Sequence, residues 1–156
     1  MFKDESQRPH INAVREVLAE ADARLTPQRE AVLRALLTNA NQHQSAEEVH
    51  QAARKYLPEI GLATVYRTLE LFGSLGVVHQ LHTAEGQSRF EFNAAADEHY
   101  HHHVICISCG AISECNEDLL EVLEEKVINT TGYQVIDHCL QFYGYCPRCQ
   151  EEKKQR

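Results

Sequence analysis

An α+β chain built from two unlike halves is what this 156-residue sequence predicts, and three observations carry that reading. Residues 11–73 repeat apolar side chains at the three- and four-residue spacing of amphipathic helices. Residues 77–92 switch to two short strand-like runs around a turn. Beyond them, Cys106-Ile107-Ser108-Cys109 and Cys146-Pro147-Arg148-Cys149 bracket a stretch in which strands alternate with a single helix.

In chain order, Val14, Val17, Leu18 and Ala21 make the buried stripe of a first helix over 11–23. Thr26-Pro27 reads as an N-cap followed by proline at the first helical position, opening a helix that buries Val32, Leu33, Leu36 and Leu37. Ser45-Ala46-Glu47-Glu48 is a capped start with early carboxylates; it leads through Val49, Ala52, Ala53 and Tyr56 until Pro58. Gly61 precedes a fourth helix, Leu62 to about Gly73, with Leu62, Val65, Leu69 and Phe72 inside and Ala63, Tyr66, Arg67 and Glu70 on the other face. Strands over 77–82 and 88–92 follow, joined by Ala84-Glu85-Gly86-Gln87, with Phe90 and Phe92 on one face and Arg89 and Glu91 on the other. Helices followed by a two-stranded hairpin are the order of a winged helix.

Asn93-Ala94-Ala95-Ala96-Asp97 reads as a linker, dividing the chain into a domain over 1–93 and a second over 94–156. The second is predicted as a strand over 100–105, a turn, a strand over 111–115, a helix over 118–128 and a strand over 133–143. A disordered charged tail is predicted from Glu151.

No apolar run approaches the roughly 18 residues of a membrane span, and the charged N-terminus lacks a secretory signal. A cytoplasmic protein is expected, in which cysteines are thiols or metal ligands rather than disulfides. Residues 1–83 hold nine Lys/Arg against ten Asp/Glu, residues 84–156 six against thirteen, within a net charge of −8. Such a chain is a poor non-specific nucleic-acid binder, so any DNA contact must come from a local patch in the first half.

Two C-x-x-C pairs can set four thiolates around one tetrahedral Zn²⁺, a closed and therefore structural site, and the competing readings are redox-active dithiols or chance core thiols. Cys115 and Cys139 are left over and read as small apolar core residues. His101 and His103 share a strand face, with His102 on the reverse. If Ile105 pairs with Gly110, His101 falls opposite Glu114, and Glu91 can join from the hinge. Such imidazole and carboxylate donors suit Fe²⁺, Mn²⁺, Co²⁺ or Zn²⁺. His102 can build a separate site with His138 and a carboxylate. On the fourth helix, Tyr66 and Arg67 stand near the end that meets base edges in helix-turn-helix proteins. Arg grips guanine or phosphate, and Tyr contacts phosphate or a thymine methyl. Arg15, Arg24, Arg29 and Arg54 are candidates for further phosphate contacts.

From about Leu25 to Cys149 the chain resembles the ferric uptake regulator (Fur) family of metal-dependent, homodimeric winged-helix repressors. The matching segments are Leu25-Thr26-Pro27-Gln28-Arg29, His43-Gln44-Ser45-Ala46-Glu47-Glu48, Gly61 through Leu69, Ser88-Arg89-Phe90-Glu91-Phe92 and His101 through Gly110. The resemblance implies structural zinc on Cys106, Cys109, Cys146 and Cys149, and a regulatory site from His43, Glu91, His101, His103 and Glu114. It maps an additional site to His102, Glu121 and His138, with Tyr100 where some members carry another histidine. It also puts Thr64, Tyr66 and Arg67 in a recognition helix that reads a palindromic operator on double-stranded DNA as part of a homodimer.

The regulatory ion implied is Fe²⁺, with Mn²⁺ or Zn²⁺ as alternatives, and the role is control of iron-homeostasis genes. Peroxide-responsive members carry Asp where this chain has Glu114, and zinc-responsive ones often use a cysteine that is missing beside His101 or Glu91. A metalloenzyme using the His/Glu site would need a catalytic motif such as H-E-x-x-H, which the sequence lacks. It would also leave the Tyr66/Arg67 helix without a purpose; a third reading is a zinc-ribbon interaction module without DNA contact.

Overall fold

The computed structural model describes residues 2–40, 42–83, 85–93, 102–115, 120–135, 138 and 140–154. The chain divides into two compact units: Met1–His82 with Gly86–Asp97, and Thr83–Glu85 with Glu98–Arg156.

The first unit begins with α1 (Phe2–Glu20), which starts nine residues earlier than its apolar stripe predicts and carries Pro9 inside it. Packing extends it: Gln7 is buried and its amide donates to Thr38 Oγ1 at 3.2 Å, while the His10 ring meets Phe92 edge-on. Helix α2 (Pro27–Thr38) is capped by Thr26, whose hydroxyl accepts from Arg29 N–H at 3.4 Å. Helix α3 (Ala46–Ala53) opens on a complete capping box: Ser45 Oγ takes Glu48 N–H at 3.2 Å, and Glu48 returns the bond to Ser45 N–H at 2.7 Å. Tyr56, predicted inside that helix, lies beyond its end and is exposed, with its hydroxyl 2.8 Å from Thr38 Oγ1. Helix α4 (Leu62–Ser74) follows Gly61 and buries Val65, Thr68, Leu69 and Phe72.

Strands β1 (Val78–His82) and β2 (Ser88–Phe92) pair antiparallel, Val78 opposite Phe92, to form the wing. One core joins α1 through α4 and the wing, with Leu18, Val32, Leu33, Leu36, Val49, Val65, Leu69 and Phe72 fully enclosed or nearly so. Phe72→Ala should therefore cost about 3–5 kcal/mol, transfer and cavity together. Urea unfolding of the winged-helix unit would read it as a lower midpoint with an unchanged slope.

The second unit contains a three-stranded sheet in the order β4-β3-β5, where β3 is His102–Cys106, β4 Ile112–Cys115 and β5 Gln141–Gly144. Strands β3 and β4 run antiparallel, whereas β3 and β5 run parallel. Helix α5 (Glu121–Thr131) links β4 to β5 and ends at Gly132, whose φ of 73° supplies the left-handed cap. The predicted helix start at Asp118 lies outside the described residues, as do Tyr100, Cys139 and the 94–97 linker. Of the long final strand predicted over 133–143, the described part is a strand from Gln141 onward. Residues 151–154 of the predicted disordered tail instead belong to helix α6 (Pro147–Lys154), because Pro147 pre-sets the first turn and the Lys153 ammonium sits 3.5 Å over the Tyr145 ring. Among the described residues no helix is long and apolar enough to cross a membrane.

Candidate metal centres and nucleic-acid interface

Parallel pairing brings the C-terminal ends of β3 and β5 to the same edge of the sheet, and the paired cysteines stand there. Cys106 closes β3 opposite Gly144, and the Ile107 N–H donates to Gly144 O at 2.8 Å, carrying the pairing into the turn. Gly110, at φ 72°, reverses the chain after Cys109, while α6 carries Cys149 inward to a buried position. The four sulfurs of Cys106, Cys109, Cys146 and Cys149 all lie within 4.8 Å of one another. Zinc–sulfur bonds of about 2.3 Å imply tetrahedron edges near 3.8 Å, and Cys109 Sγ stands 3.7 Å from Cys146 Sγ.

The thiols are electrically unlike. The Cys146 N–H, donating to Cys106 Sγ at 3.3 Å, and then the Cys109 N–H pull the Cys106 thiol down to about 6. At Cys149 the Ser108 hydrogen bond pulls down, but the Cys146 sulfur, burial and the other two thiols outweigh it and push it up to about 11. Four thiolates this close require a cation to neutralise them, and the soft, closed donor set fits zinc.

The same sheet carries histidines on both faces. Ile105 pairs with Ile112, not Gly110, so the β3–β4 register differs by two residues from the one assumed in sequence, and His103 rather than His101 faces Glu114. The turn causes this: Cys106 N–H bonds Ala111 O at 2.8 Å and Gly110 N–H bonds Cys106 O at 2.9 Å, so four residues, 107–110, form the loop. His101 lies outside the described residues. On the opposite face, His102 pairs with half-buried Cys115 across the strands and is 1% exposed. The His102 Nε2 is buried with no hydrogen-bond partner among the described residues, and its ring centroid lies 5.9 Å from that of His138. His138 Nδ1 meets the Glu124 carboxylate. Glu121 is exposed one turn earlier on α5, so Glu124 is a further carboxylate at this face that sequence reasoning missed, although the i, i+3 spacing puts both on one side of the helix.

In the winged-helix unit, Gln44 N–H donates to Phe90 O at 3.0 Å and Phe90 N–H to Gln44 O at 2.7 Å. This bridge adds a third backbone segment to the wing and brings flanking residues together: His43 Nε2 stands 3.6 Å from a Glu91 carboxylate oxygen, both side chains largely buried. Arg89, beside them, donates to Glu48 at 2.8 Å and to the His43 carbonyl at 3.4 Å. Periodicity gave no sign of His43, because its position is set by a strand more than forty residues away.

Helix α4 presents Tyr66, 41% exposed, with Arg67 exposed beside it and Thr64 half-buried. The Tyr66 hydroxyl donates to Glu47 Oε1, on α3, at 2.8 Å. That bond holds the Glu47 carboxyl below its usual range and raises the Tyr66 phenol. Arg15 is exposed and bonds Asn12, Arg29 is tied to the Arg24 carbonyl at 2.6 Å, and Arg54 to that of Pro58 at 3.3 Å. These last two keep other guanidinium N–H groups for a partner.

A model described as the ferric uptake regulator family matches residues 20–143. The chain is 45% identical over 139 residues to the ferric uptake regulation protein of Bacillus subtilis, covering 89% of this chain and 93% of that protein. It is 36% identical over 135 residues to the peroxide-responsive repressor PerR of Staphylococcus epidermidis, covering 86% and 87%. Among solved structures, the ferric uptake regulator of Francisella tularensis with iron is similar at a TM-score of 0.66 and 30% identity, covering 80% of this chain and 92% of that one. The Helicobacter pylori ferric uptake regulator, described with three functional metal-binding sites, reaches 0.70 at 26% identity, covering 90% and 91%.

Proposed function

The chain belongs to the ferric uptake regulator family, and from that premise we propose an iron-sensing, homodimeric, cytoplasmic repressor of iron-homeostasis genes. As a member it is a metal-responsive DNA-binding regulator, not an enzyme, with an N-terminal winged helix and a smaller α/β dimerisation domain holding a four-cysteine site. The domain boundary taken is that between residues 93 and 94.

One observation carries the reading: donors of the same chemistry are split between the two units. His43 and Glu91 are paired on the wing side, and His103 and Glu114 face each other across β3 and β4. In this proposal His101 joins them around the regulatory Fe²⁺, which supplies a positive charge when bound. The residues of each half then favour one arrangement of the two units over others, which biases the spacing of the two α4 helices in the dimer. His102, Glu121 and His138 remain candidates for the additional site, with Glu124 beside them. Thr64, Tyr66, Arg67 and Arg15 are assigned to a palindromic operator. Dimerisation is supported by the apolar residues that the second unit leaves exposed: Val122, Leu123, Val127 and Ile128 on α5, with Phe142 on β5.

Peroxide-responsive relatives make that branch the second reading. Glu114, where the resemblance gives that branch an aspartate, favours iron. Protein purified without oxygen, with Fe²⁺ or Mn²⁺ added back, tests the proposal on duplex selected from a random pool. Stoichiometric zinc should persist, and Fe²⁺ should raise DNA affinity about 5–150-fold. After hydrogen peroxide, reductant and fresh Fe²⁺ should restore binding in full. Metal-independent binding would overturn the sensor; lasting loss after peroxide would move the chain to the other branch.

A further inference from the structure

Tyr66 has one proton to donate, and it is already committed. Its hydroxyl gives that proton to Glu47 Oε1 at 2.8 Å, bridging α3 and α4, the two helices of the helix-turn-helix. Glu47 sits in the first turn of α3, where the positive end of the helix favours a carboxylate. Its neighbour Glu48 is occupied separately, by the Ser45 N–H and the Arg89 guanidinium.

We propose that Glu47 is a specificity-determining positioning residue: it holds the Tyr66 phenol so that the ring, not the hydroxyl, meets DNA. A phosphate oxygen only accepts hydrogen bonds, so a phenol whose proton is engaged has nothing to give it. The Glu47 charge beside that phenol also repels phosphate and cancels the anion attraction that a bare α3 N-terminus would exert. What Tyr66 retains is its apolar ring edge, which suits a thymine methyl in the major groove. Glu47 thus suppresses sequence-independent contact at the point where α4 reads bases. The proposal rests on α4 being the DNA-reading helix.

The test uses full-length protein with Mn²⁺, a duplex selected by it from a random pool, and copies of that duplex with single thymines replaced by uracil, which lacks the methyl. Fluorescence anisotropy compares the parent with E47Q, E47A, Y66F and E47A/Y66F. At one or more positions the parent should lose about threefold on uracil, and E47Q, which still accepts the phenol proton, should keep that penalty. E47A should lose it, and its ratio of selected to random-sequence affinity should fall about 3–10-fold, the worth of one hydrogen bond. Y66F should also lose the uracil penalty, because it breaks the same bond, but its ratio should fall less, since no phenol proton is freed for phosphate and the Glu47 charge stays; the double variant should be no worse than E47A. Additive losses, or an intact uracil penalty in E47A, would overturn the Glu47 assignment while leaving α4 as the reading helix. Failure of the parent to select any duplex would remove both. E47Q and Y66F keep the outcome readable should E47A unfold.

Discussion

Cys149→Ser is expected to empty the four-sulfur centre and take the sheet unit's structure with it. Cys149 is one of the two buried members, with Cys106; α6 carries it in, and its sulfur closes the group formed by Cys106, Cys109 and Cys146. Structural zinc contributes an apparent 10–16 kcal/mol or so in small domains, as much as the roughly 5–15 kcal/mol that holds a whole domain together. The second unit is small, and α5 buries none of its described side chains, so little else would compensate. Elemental analysis should find zinc falling from stoichiometric to background. Gel filtration should find the dimer gone, while circular dichroism retains the helices of the first unit. A zinc-free variant that still dimerises and melts like the parent would exclude a structural role for the ion.

His43→Ala should have the opposite profile: zinc content and dimer unchanged, metal-dependent DNA binding lost. The imidazole pairs with Glu91 through the Gln44–Phe90 bridge, so its removal takes a donor from the wing side without touching the core. Coupling of about 1–3 kcal/mol between metal and DNA corresponds to 5–150-fold in affinity, and the variant should forfeit most of it. A gel-shift titration with and without Fe²⁺ measures the ratio. An unaltered ratio would remove His43 from the regulatory site.

What the sequence made legible was local. Thr26-Pro27 and Ser45-Ala46-Glu47-Glu48 announce α2 and α3 through caps that need no distant partner. The spacing of the paired cysteines likewise announces their grouping. The errors share a different cause. Residues 2–10 look too polar for a helix until Gln7 finds Thr38 and His10 finds Phe92. The β3–β4 register depends on two hydrogen bonds inside a turn, and a shift of two preserves every face while changing which histidine meets Glu114. His43 became visible only through resemblance, because its place is decided by a backbone bridge to β2. Glu124 was missed because nothing in the α5 pattern says which of two carboxylates on one side will meet His138.

Strand β5 has consequences for how much of this regulator a cell can hold. His103 pairs with Gln141, 38 positions along the chain, and a parallel partner that distant can join only after a long crossover has been closed. The winged-helix unit needs no such wait, so newly made chains should pass through a stage with one half folded and the other open to proteases. Zinc held by the four cysteines would shorten that stage by fastening the crossover. A cell short of zinc would therefore accumulate less of this metal-responsive regulator, tying the supply of the structural metal to the surveillance of the regulatory one at the level of protein lifetime.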